Sequence, residues 1–282
     1  MSTTVGDLLA ESAAGLADRA GDGARAEAEI LLAHCLGCDR TALWARPETA
    51  VPSAVAAACR ALALRRAAGE PVAYLVGRRG FWTLELELTP AVLIPRPETE
   101  LLVEQVLAAF PADAPVRLVD LGTGSGAIAL AVAAERPCWE ILATDAAADA
   151  LAVARRNAAR LGLVAVAFRL GDWARAFRPG ERFSVIVSNP PYVAEGDPHL
   201  AALRHEPAQA LTAGPDGLDA LRRIVAGAGA HLAPGGWLLL EHGHDQADAV
   251  RRLLLERGFG GTESRPDLAG LPRCTGGCWP GA

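Results

Sequence analysis

The sequence of 282 residues lacks lysine entirely and contains one methionine, two tyrosines and two asparagines. Every basic side chain is therefore an arginine, and we take that preference as a bias of composition rather than a sign of chemistry. A positive net charge is missing as well, because the formal charge is −6. Such a chain has no broad field to attract a phosphate backbone. Duplex DNA is a poor first candidate for its partner.

Long apolar runs are also missing. None reaches the roughly 20 residues that span a bilayer, and the first residues lack the basic leader and apolar stretch of a secretion signal. These features predict a cytoplasmic protein that binds no membrane. The hydrophobic content of 51% and the charged content of 21% argue against disorder. The length suits one large domain, or a large and a small one.

Cysteine is present but sparse. Cys35 with Cys38, and Cys274 with Cys278, could together supply the four thiolates of a zinc site. However, Cys35 falls in an apolar helical pattern, where a small buried cysteine is ordinary, and the second pair lies at the far end of the chain. We therefore expect reduced, structural thiols and no metal.

The periodicity of apolar residues changes twice along the chain. It is helical from about residue 6 to 70, and it then alternates at Leu84, Leu86 and Leu88 before two prolines. From about residue 115, β-rich runs alternate with amphipathic helices, which predicts an α/β fold with a doubly wound, mostly parallel, Rossmann-like sheet. Segments near 259–265 and 271–279 are expected to add antiparallel strands. The predicted parts are a helical domain at 1–78, a β-hairpin connector at 79–96 and the α/β domain at 97–282.

A glycine-rich turn marks the first candidate site. In LVDLGTGSGAIAL a strand leads into Gly122, Gly124 and Gly126, after which a helix begins. Glycine allows a sharp turn and a close approach to a ligand, and open α/β sheets bind ligands at the carboxyl ends of their strands. Asp145 ends the next strand, where a carboxylate can accept both hydroxyls of a ribose, and Asp120 is placed to meet a charged amine. The pattern predicts an adenosine ligand but does not separate NAD from S-adenosylmethionine.

The third predicted strand ends in Asp172 and Trp173. A carboxylate beside an indole would suit an adenine ring, since the acid can meet the amino group while the indole covers one face. An ordinary helix N-cap followed by a partly buried tryptophan is an equally good interpretation of Asp172 alone.

The fourth strand ends in the tetrapeptide Asn189, Pro190, Pro191 and Tyr192. The prolines cannot donate to a sheet and stiffen the chain. A planar amide or aromatic amine is a poor nucleophile because its lone pair is delocalised. The side-chain oxygen of Asn189 and the carbonyl of Pro190 could each accept one N–H of such a group, and both bonds would tighten as the nitrogen gains positive charge. Tyr192 offers an aromatic face for packing. The alternative is a strand that simply ends in an Asn-Pro turn.

These residues resemble the class I S-adenosylmethionine-dependent methyltransferases with an (N/D)PPY motif. Further motifs narrow the resemblance to the protein-(glutamine-N5) methyltransferases of peptide chain release factors: GEPVAYLVGRRGFW, LIPRPETELLVE, LVDLGTGSGAIAL, VIVSNPPYV, EPAQALTAGPDGLDALRRI and LLLEHG. The resemblance implies a seven-stranded methyltransferase sheet and a small N-terminal helical domain that helps hold the protein substrate. It also implies methyl transfer to the glutamine of the Gly-Gly-Gln motif in class I release factors.

The same resemblance implies roles for individual residues. The cofactor would be contacted by Gly122, Thr123, Gly124, Ser125, Gly126, Asp145, Trp173 and Asn189. The glutamine side chain would be received by Asn189, Pro190, Pro191 and Tyr192, with Asn189, Pro190 and Tyr192 as the catalytic residues. The segment IPRPETE at 94–100 would border the active site.

Three other functions remain open at this point. An adenine-N6 methyltransferase of DNA or RNA could use the same tetrapeptide, although the chain lacks a basic, aromatic-rich recognition segment. An NAD-dependent oxidoreductase would need a residue that handles hydride, and we find no candidate. A non-catalytic binding module would be expected to have lost the glycines or Asn189, and both are present.

Overall fold

The structure, a computed structural model, describes residues 3–281. The chain divides into two compact units, with the boundary after Arg78.

The N-terminal unit is helical. Its first helix starts with a capping box, in which the Thr4 hydroxyl accepts the Asp7 N–H and the Asp7 carboxylate accepts the Thr4 N–H. Leucines at helical spacing, among them Leu8, Leu16 and Leu31, form the core of this unit. The helices are α1 (Val5–Ala20), α2 (Ala24–Leu36), α3 (Arg40–Ala45), α4 (Ser53–Ala67) and α5 (Val72–Val76).

A two-stranded sheet follows, made of β1 (Arg78–Phe81) and β2 (Leu84–Glu87). Asn157 ties β2 to the rest of the second unit: its Oδ1 accepts the Glu87 N–H at 2.7 Å, and its Nδ2 donates to the carbonyls of Glu87 and Ser125, each at 3.0 Å. One buried amide therefore holds the second strand of the hairpin against the chain that follows Gly124.

The second unit contains a seven-stranded sheet with the order β5-β4-β3-β6-β7-β9-β8. All neighbouring strands from β5 to β7 are parallel, and β9 runs antiparallel to both of its neighbours. The chain moves outward in one direction from β3 to β5 and in the other from β6, which creates a crevice at the carboxyl ends of β3 and β6. The strands are β3 (Arg117–Leu121), β4 (Glu140–Asp145), β5 (Ala167–Leu170), β6 (Phe183–Ser188), β7 (Leu232–Glu241), β8 (Gly260–Pro266) and β9 (Pro272–Cys278).

Helices cover both faces of this sheet. Neighbouring strand residues point to opposite faces: Val185 packs in the cluster that contains α6 and α7, while Ile186 packs in the cluster that contains α9 and α10. The strands are therefore apolar on both sides, as a parallel sheet requires. The helices are α6 (Glu100–Ala109), α7 (Ala127–Glu135), α8 (Ala148–Leu161), α9 (Asp219–Ala228) and α10 (Ala247–Arg257).

The predicted fold class is confirmed: the sheet has seven strands, is mostly parallel and follows a helical N-terminal region. Within residues 3–281, none of the helices combines the length and the apolar character needed to cross a bilayer.

Candidate active site

A pocket opens at the carboxyl ends of the central strands. Its walls come from the glycine turn after β3, the end of β4, the loop after β5, the tetrapeptide after β6 and two further loops at 91–99 and 207–210. The crevice expected from the strand order is thus where the candidate residues meet.

The glycine turn has a backbone that only glycine adopts easily. Gly122, Gly124 and Gly126 have φ values of 71°, 57° and 88°, in the left-handed region. A Cβ on Gly122 would lie 3.3 Å from the ring of Trp173, and one on Gly126 would lie 2.9 Å from Leu130. Thr123 and Ser125, which separate the glycines, are buried and also line the pocket.

Asp145 lines the pocket beside this turn. Its Oδ2 accepts the Gly124 N–H and its Oδ1 accepts the Ala147 N–H, both at 2.9 Å. Burial raises the pKa of this carboxyl, and the bonds from backbone N–H groups oppose that rise. Each carboxylate oxygen keeps acceptor capacity for a ligand hydroxyl.

Asp120 lies beneath the turn and does not line the pocket. Its Oδ2 accepts the Thr123 hydroxyl at 2.6 Å and the Ala129 N–H at 3.2 Å, while its buried Oδ1 has no partner within the described part of the chain. Burial raises its pKa to about 7. The expected contact between Asp120 and a charged amine is therefore not what the structure shows, because the carboxyl is directed into the turn that it supports.

Asp172 and Trp173 both line the pocket. The Trp173 ring lies against Gly122, and its backbone has an unusual positive φ of 48°. The Asp172 side chain makes no N-cap hydrogen bond and instead forms an ion pair with Arg223. This carboxylate thus has a cationic partner on α9 at the pocket wall.

Asn189 and Pro191, which follow β6, form another part of the pocket wall. The Nδ2 of Asn189 donates to the Thr99 hydroxyl at 3.0 Å, so the amide nitrogen is occupied and Oδ1 is the end left to accept a hydrogen bond. Pro190 is buried and is not part of the lining.

Tyr192 lies behind this wall rather than on the pocket surface. Its ring packs against a core cluster of the sheet, and its hydroxyl donates to Oε1 of Glu241 at 3.2 Å. Burial and the charge of Glu241 raise the pKa of the phenol. The aromatic face expected at the pocket is thus turned into the protein, because the hydroxyl has a buried acceptor.

Thr99, Glu206 and Glu241 were not singled out from the sequence. The Glu206 carboxylate accepts the Ile94 N–H at 3.0 Å and pairs with Arg96, which joins the loop at 91–99 to the loop at 207–210. Thr99, just before α6, is buried and lines the pocket. The sequence signal was indirect, since the three residues lie within the quoted motifs LIPRPETELLVE, EPAQALTAGPDGLDALRRI and LLLEHG.

Glu241 is the last residue of β7 and is only 1% exposed. Burial raises its pKa to about 7, and the nearby Thr99 hydroxyl, the Tyr192 hydroxyl and the charge of Arg273 oppose that rise. Its sequence signal was an acid that ends the otherwise apolar run WLLLE.

The structure contains no group of three or more histidine, cysteine or acidic side chains suited to a metal ion among residues 3–281. The thiols of all six cysteines are free.

Two family models match the chain. Residues 7–77 match the PrmC N-terminal domain, and residues 97–264 match the methyltransferase small domain. The release factor glutamine methyltransferase of Xylella fastidiosa (strain Temecula1) is 54% identical over 91% of this chain and 94% of its own length. That of Burkholderia pseudomallei is 55% identical over 90% and 92%.

Among solved structures, a methyltransferase from Pyrococcus furiosus has a TM-score of 0.53 at 19% identity, and the match covers 79% of this chain and 98% of that one. This likeness shows the fold alone. The names of the two relatives refer to the modification of a glutamine, which agrees with the main prediction and not with an adenine-N6 methyltransferase. Their sequence identity and the share of each chain that is covered show the family. The chain belongs to the release factor glutamine methyltransferase family.

Proposed function

We propose that the protein transfers a methyl group from S-adenosylmethionine to the N5 nitrogen of the glutamine in the Gly-Gly-Gln motif of class I peptide chain release factors. The observation that carries the proposal is the orientation of Asn189. Because its Nδ2 donates to Thr99, its Oδ1 is the acceptor available at a pocket wall, where a glutamine amide can donate to it. The names of the relatives supply the substrate.

The glycine side of the pocket fits S-adenosylmethionine. We assign Gly122, Thr123, Gly124, Ser125 and Gly126 to the contacts of its amino acid part, since their backbone leaves room for a close approach. The free acceptor capacity of Asp145 suits the ribose hydroxyls, and Trp173 suits a face of the adenine. Asn189, which lines the same pocket, would contact the cofactor near the reacting centre.

The substrate side would be formed by Asn189, Pro190, Pro191 and Tyr192. Oδ1 of Asn189 and the carbonyl of Pro190 would accept the two N–H groups of the glutamine amide, which leaves the nitrogen lone pair facing the methyl group. Pro191 lines the pocket beside them, and Tyr192 supports the wall from behind. Asn189 and Pro190 are therefore the proposed catalytic residues, and Tyr192, the third residue predicted to be catalytic, would act by supporting the wall that they form.

The chemistry needs few groups. S-adenosylmethionine supplies an electrophilic methyl group on a sulfonium. The two acceptors would hold the amide nitrogen in line with that methyl group. As the N–C bond forms, the S–C bond breaks and the sulfur leaves as a neutral thioether. The hydrogen bonds from the nitrogen strengthen as it becomes positive, after which it loses one proton to water. No metal takes part in this scheme.

The remaining assignments follow from the same proposal. The helical unit at 1–78 would hold the release factor, the hairpin at 79–96 would connect it to the methyltransferase domain at 97–282, and the reaction would take place in the cytoplasm. Stable binding to nucleic acid or to a membrane is not expected, in keeping with the net charge of −6.

The test is a transfer assay with methyl-labelled S-adenosylmethionine. Purified release factor, a variant of it with alanine in place of the motif glutamine, and an adenine-containing oligonucleotide are offered separately. We expect label only in the unaltered release factor. Label in the oligonucleotide alone would favour adenine modification, and equal label in both release factors would exclude the motif glutamine as the acceptor.

A further inference from the structure

A buried carboxyl group lies directly behind the wall that carries the tetrapeptide. The register of the parallel strands β6 and β7 pairs Ser188 with Leu240, so the next residues, Asn189 and Glu241, follow side by side at the strand ends. Glu241 is 1% exposed and does not line the pocket. Any influence of Glu241 on a bound substrate must therefore pass through its neighbours.

The first neighbour is Thr99. Its hydroxyl oxygen accepts a hydrogen bond from Asn189 Nδ2 at 3.0 Å. A hydroxyl has one proton, which needs an acceptor of its own. The Thr99 hydroxyl lowers the pKa of the buried Glu241 carboxyl, and Oε2 of that carboxyl has no hydrogen-bond partner among residues 3–281. Oε2 is the acceptor to which this proton can turn.

The second neighbour is Tyr192, whose hydroxyl donates to Oε1 of Glu241 at 3.2 Å. In its ionised form the carboxylate only accepts hydrogen bonds, so the Tyr192 hydroxyl donates to Oε1 and Oε2 can take the proton of Thr99. Oε1 of Glu241 thus accepts the bond from Tyr192, and Oε2 is available to Thr99, which holds Asn189. We propose that Glu241 is a positioning residue for methyl transfer, which orients Asn189 through Thr99 and anchors Tyr192 directly.

The role of Glu241 rests on the proposed function. It determines which end of the Asn189 amide faces the substrate. With its proton turned toward Glu241, the Thr99 hydroxyl offers a lone pair to the Asn189 amide nitrogen, and Oδ1 faces the substrate. Without that acceptor, the Thr99 hydroxyl can donate to Oδ1 instead. The Asn189 amide would then turn and present N–H groups to the reacting NH2 group of the glutamine, which itself offers only N–H donors.

The orientation of Asn189 can be observed without any substrate. The chain contains only two asparagines, Asn157 and Asn189. Protein labelled with ¹⁵N-asparagine should therefore give two pairs of side-chain NH2 signals, which the spectrum of Asn189→Ala assigns. Asn157 is an internal control because its Nδ2 donates to the carbonyls of Glu87 and Ser125.

We expect Glu241→Gln to shift the Asn189 signals and to leave those of Asn157 in place. Thr99→Val should shift the same signals, and Thr99→Ser should return them toward their original positions. Unmoved Asn189 signals in Glu241→Gln, or in Thr99→Val if the first variant fails to fold, would overturn the proposal whether or not the enzyme methylates a release factor.

Kinetics separate positioning from mere support of the fold. In Glu241→Gln we expect kcat to fall about 10- to 100-fold, while KM for the release factor and Kd for S-adenosylmethionine stay within about threefold. Combining Glu241→Gln with Thr99→Val should cost no more than the larger single loss, since both act on Asn189. Additive losses, or a parallel loss of affinity for S-adenosylmethionine, would contradict a positioning role.

Glu263→Gln is the matched control. Glu263 lies on β8, is exposed and pairs with Arg265, so the same change of charge there should leave kcat unaltered. An inactive wild-type protein would count against the proposed function, whereas an active wild type with an equally active Glu241→Gln variant would count against Glu241 alone.

Discussion

The two sides of the pocket are built in different ways. The glycine side, which comprises residues 122–126 and Asp145, is held by backbone groups, such as the Gly124 N–H that donates to Asp145. The tetrapeptide side, which comprises residues 189–192, is held by side chains from distant parts of the sequence, namely Thr99 and Glu241. Backbone shape should therefore govern affinity for S-adenosylmethionine, whereas side-chain polarity should govern turnover.

The largest effect is expected on the tetrapeptide side. Asn189→Ala removes an acceptor whose bond strengthens in the transition state, so kcat should fall by about 100-fold or more. Kd for S-adenosylmethionine should change much less, because the other proposed cofactor contacts, at residues 122–126, Asp145 and Trp173, remain. Steady-state kinetics and calorimetric titration measure the two quantities, and a variant that loses affinity and turnover by the same factor would remove the distinction between the two sides.

The second effect concerns Asp120, which lies beneath the glycine turn and should make the free energy of unfolding depend on pH. Folding raises the pKa of Asp120 from 3.8 to about 7, so the folded state holds its proton more tightly than the unfolded state. The associated stability is fully present below about pH 4 and is lost as the pH rises to about 7. Asp120→Asn keeps an acceptor for Thr123 but does not titrate.

Relative to the wild type, the free energy of unfolding of Asp120→Asn should therefore rise by about 3 kcal/mol between about pH 4 and pH 7. Urea unfolding of both proteins across this range tests the effect. Parallel pH profiles would show that Asp120 is not the source of the pH dependence.

A smaller effect is expected on the glycine side itself. Gly122→Ala places a Cβ 3.3 Å from the Trp173 ring in a left-handed backbone, which should weaken binding of S-adenosylmethionine about tenfold. Gly162→Ala is the control. Gly162 lies at the end of α8 and has a similar φ of 73°, but no atom lies within 4 Å of its Cβ position, so this variant has the backbone strain without the steric contact. Titrations should show normal affinity in the control, and an equal loss in both variants would mean that strain alone explains the result.

The smallest effect is expected at the rim. Arg223→Ala removes the cationic partner of Asp172, and both side chains of this ion pair are more than a third exposed. Exposed pairs contribute about 1 kcal/mol or less, so Kd for S-adenosylmethionine should change less than about fivefold. The difference should shrink further in high salt. A change of 100-fold would show that Arg223 itself takes part in binding.

The sequence was sufficient to place the glycine turn and Asp145 together at the strand ends, because the determinants of that placement are local. A strand, three glycines and a helix follow one another directly, and Asp145 ends the next parallel strand beside them. Hydrophobic periodicity likewise predicted the sheet and the helical region, and the two last segments form β8 and β9.

The tetrapeptide side was predicted only in part. Asn189 and its location at a strand end could be inferred, but Thr99 lies 90 residues away along the chain and Glu241 lies 49 residues from Tyr192. No local sequence pattern predicts a contact between side chains so far apart along the chain. The inward direction of Tyr192 depends on the buried acceptor provided by Glu241, so the sequence alone suggested an aromatic face at the pocket instead.

The central claim is that the methyl group goes to a glutamine amide. The most direct measurement is fragmentation mass spectrometry of the Gly-Gly-Gln peptide from a release factor incubated with the protein and S-adenosylmethionine. The proposed mechanism predicts one added methyl group on the side-chain nitrogen of that glutamine, and none after incubation with Asn189→Ala. An unmodified glutamine, or a methyl group on any other residue of the peptide, would contradict it.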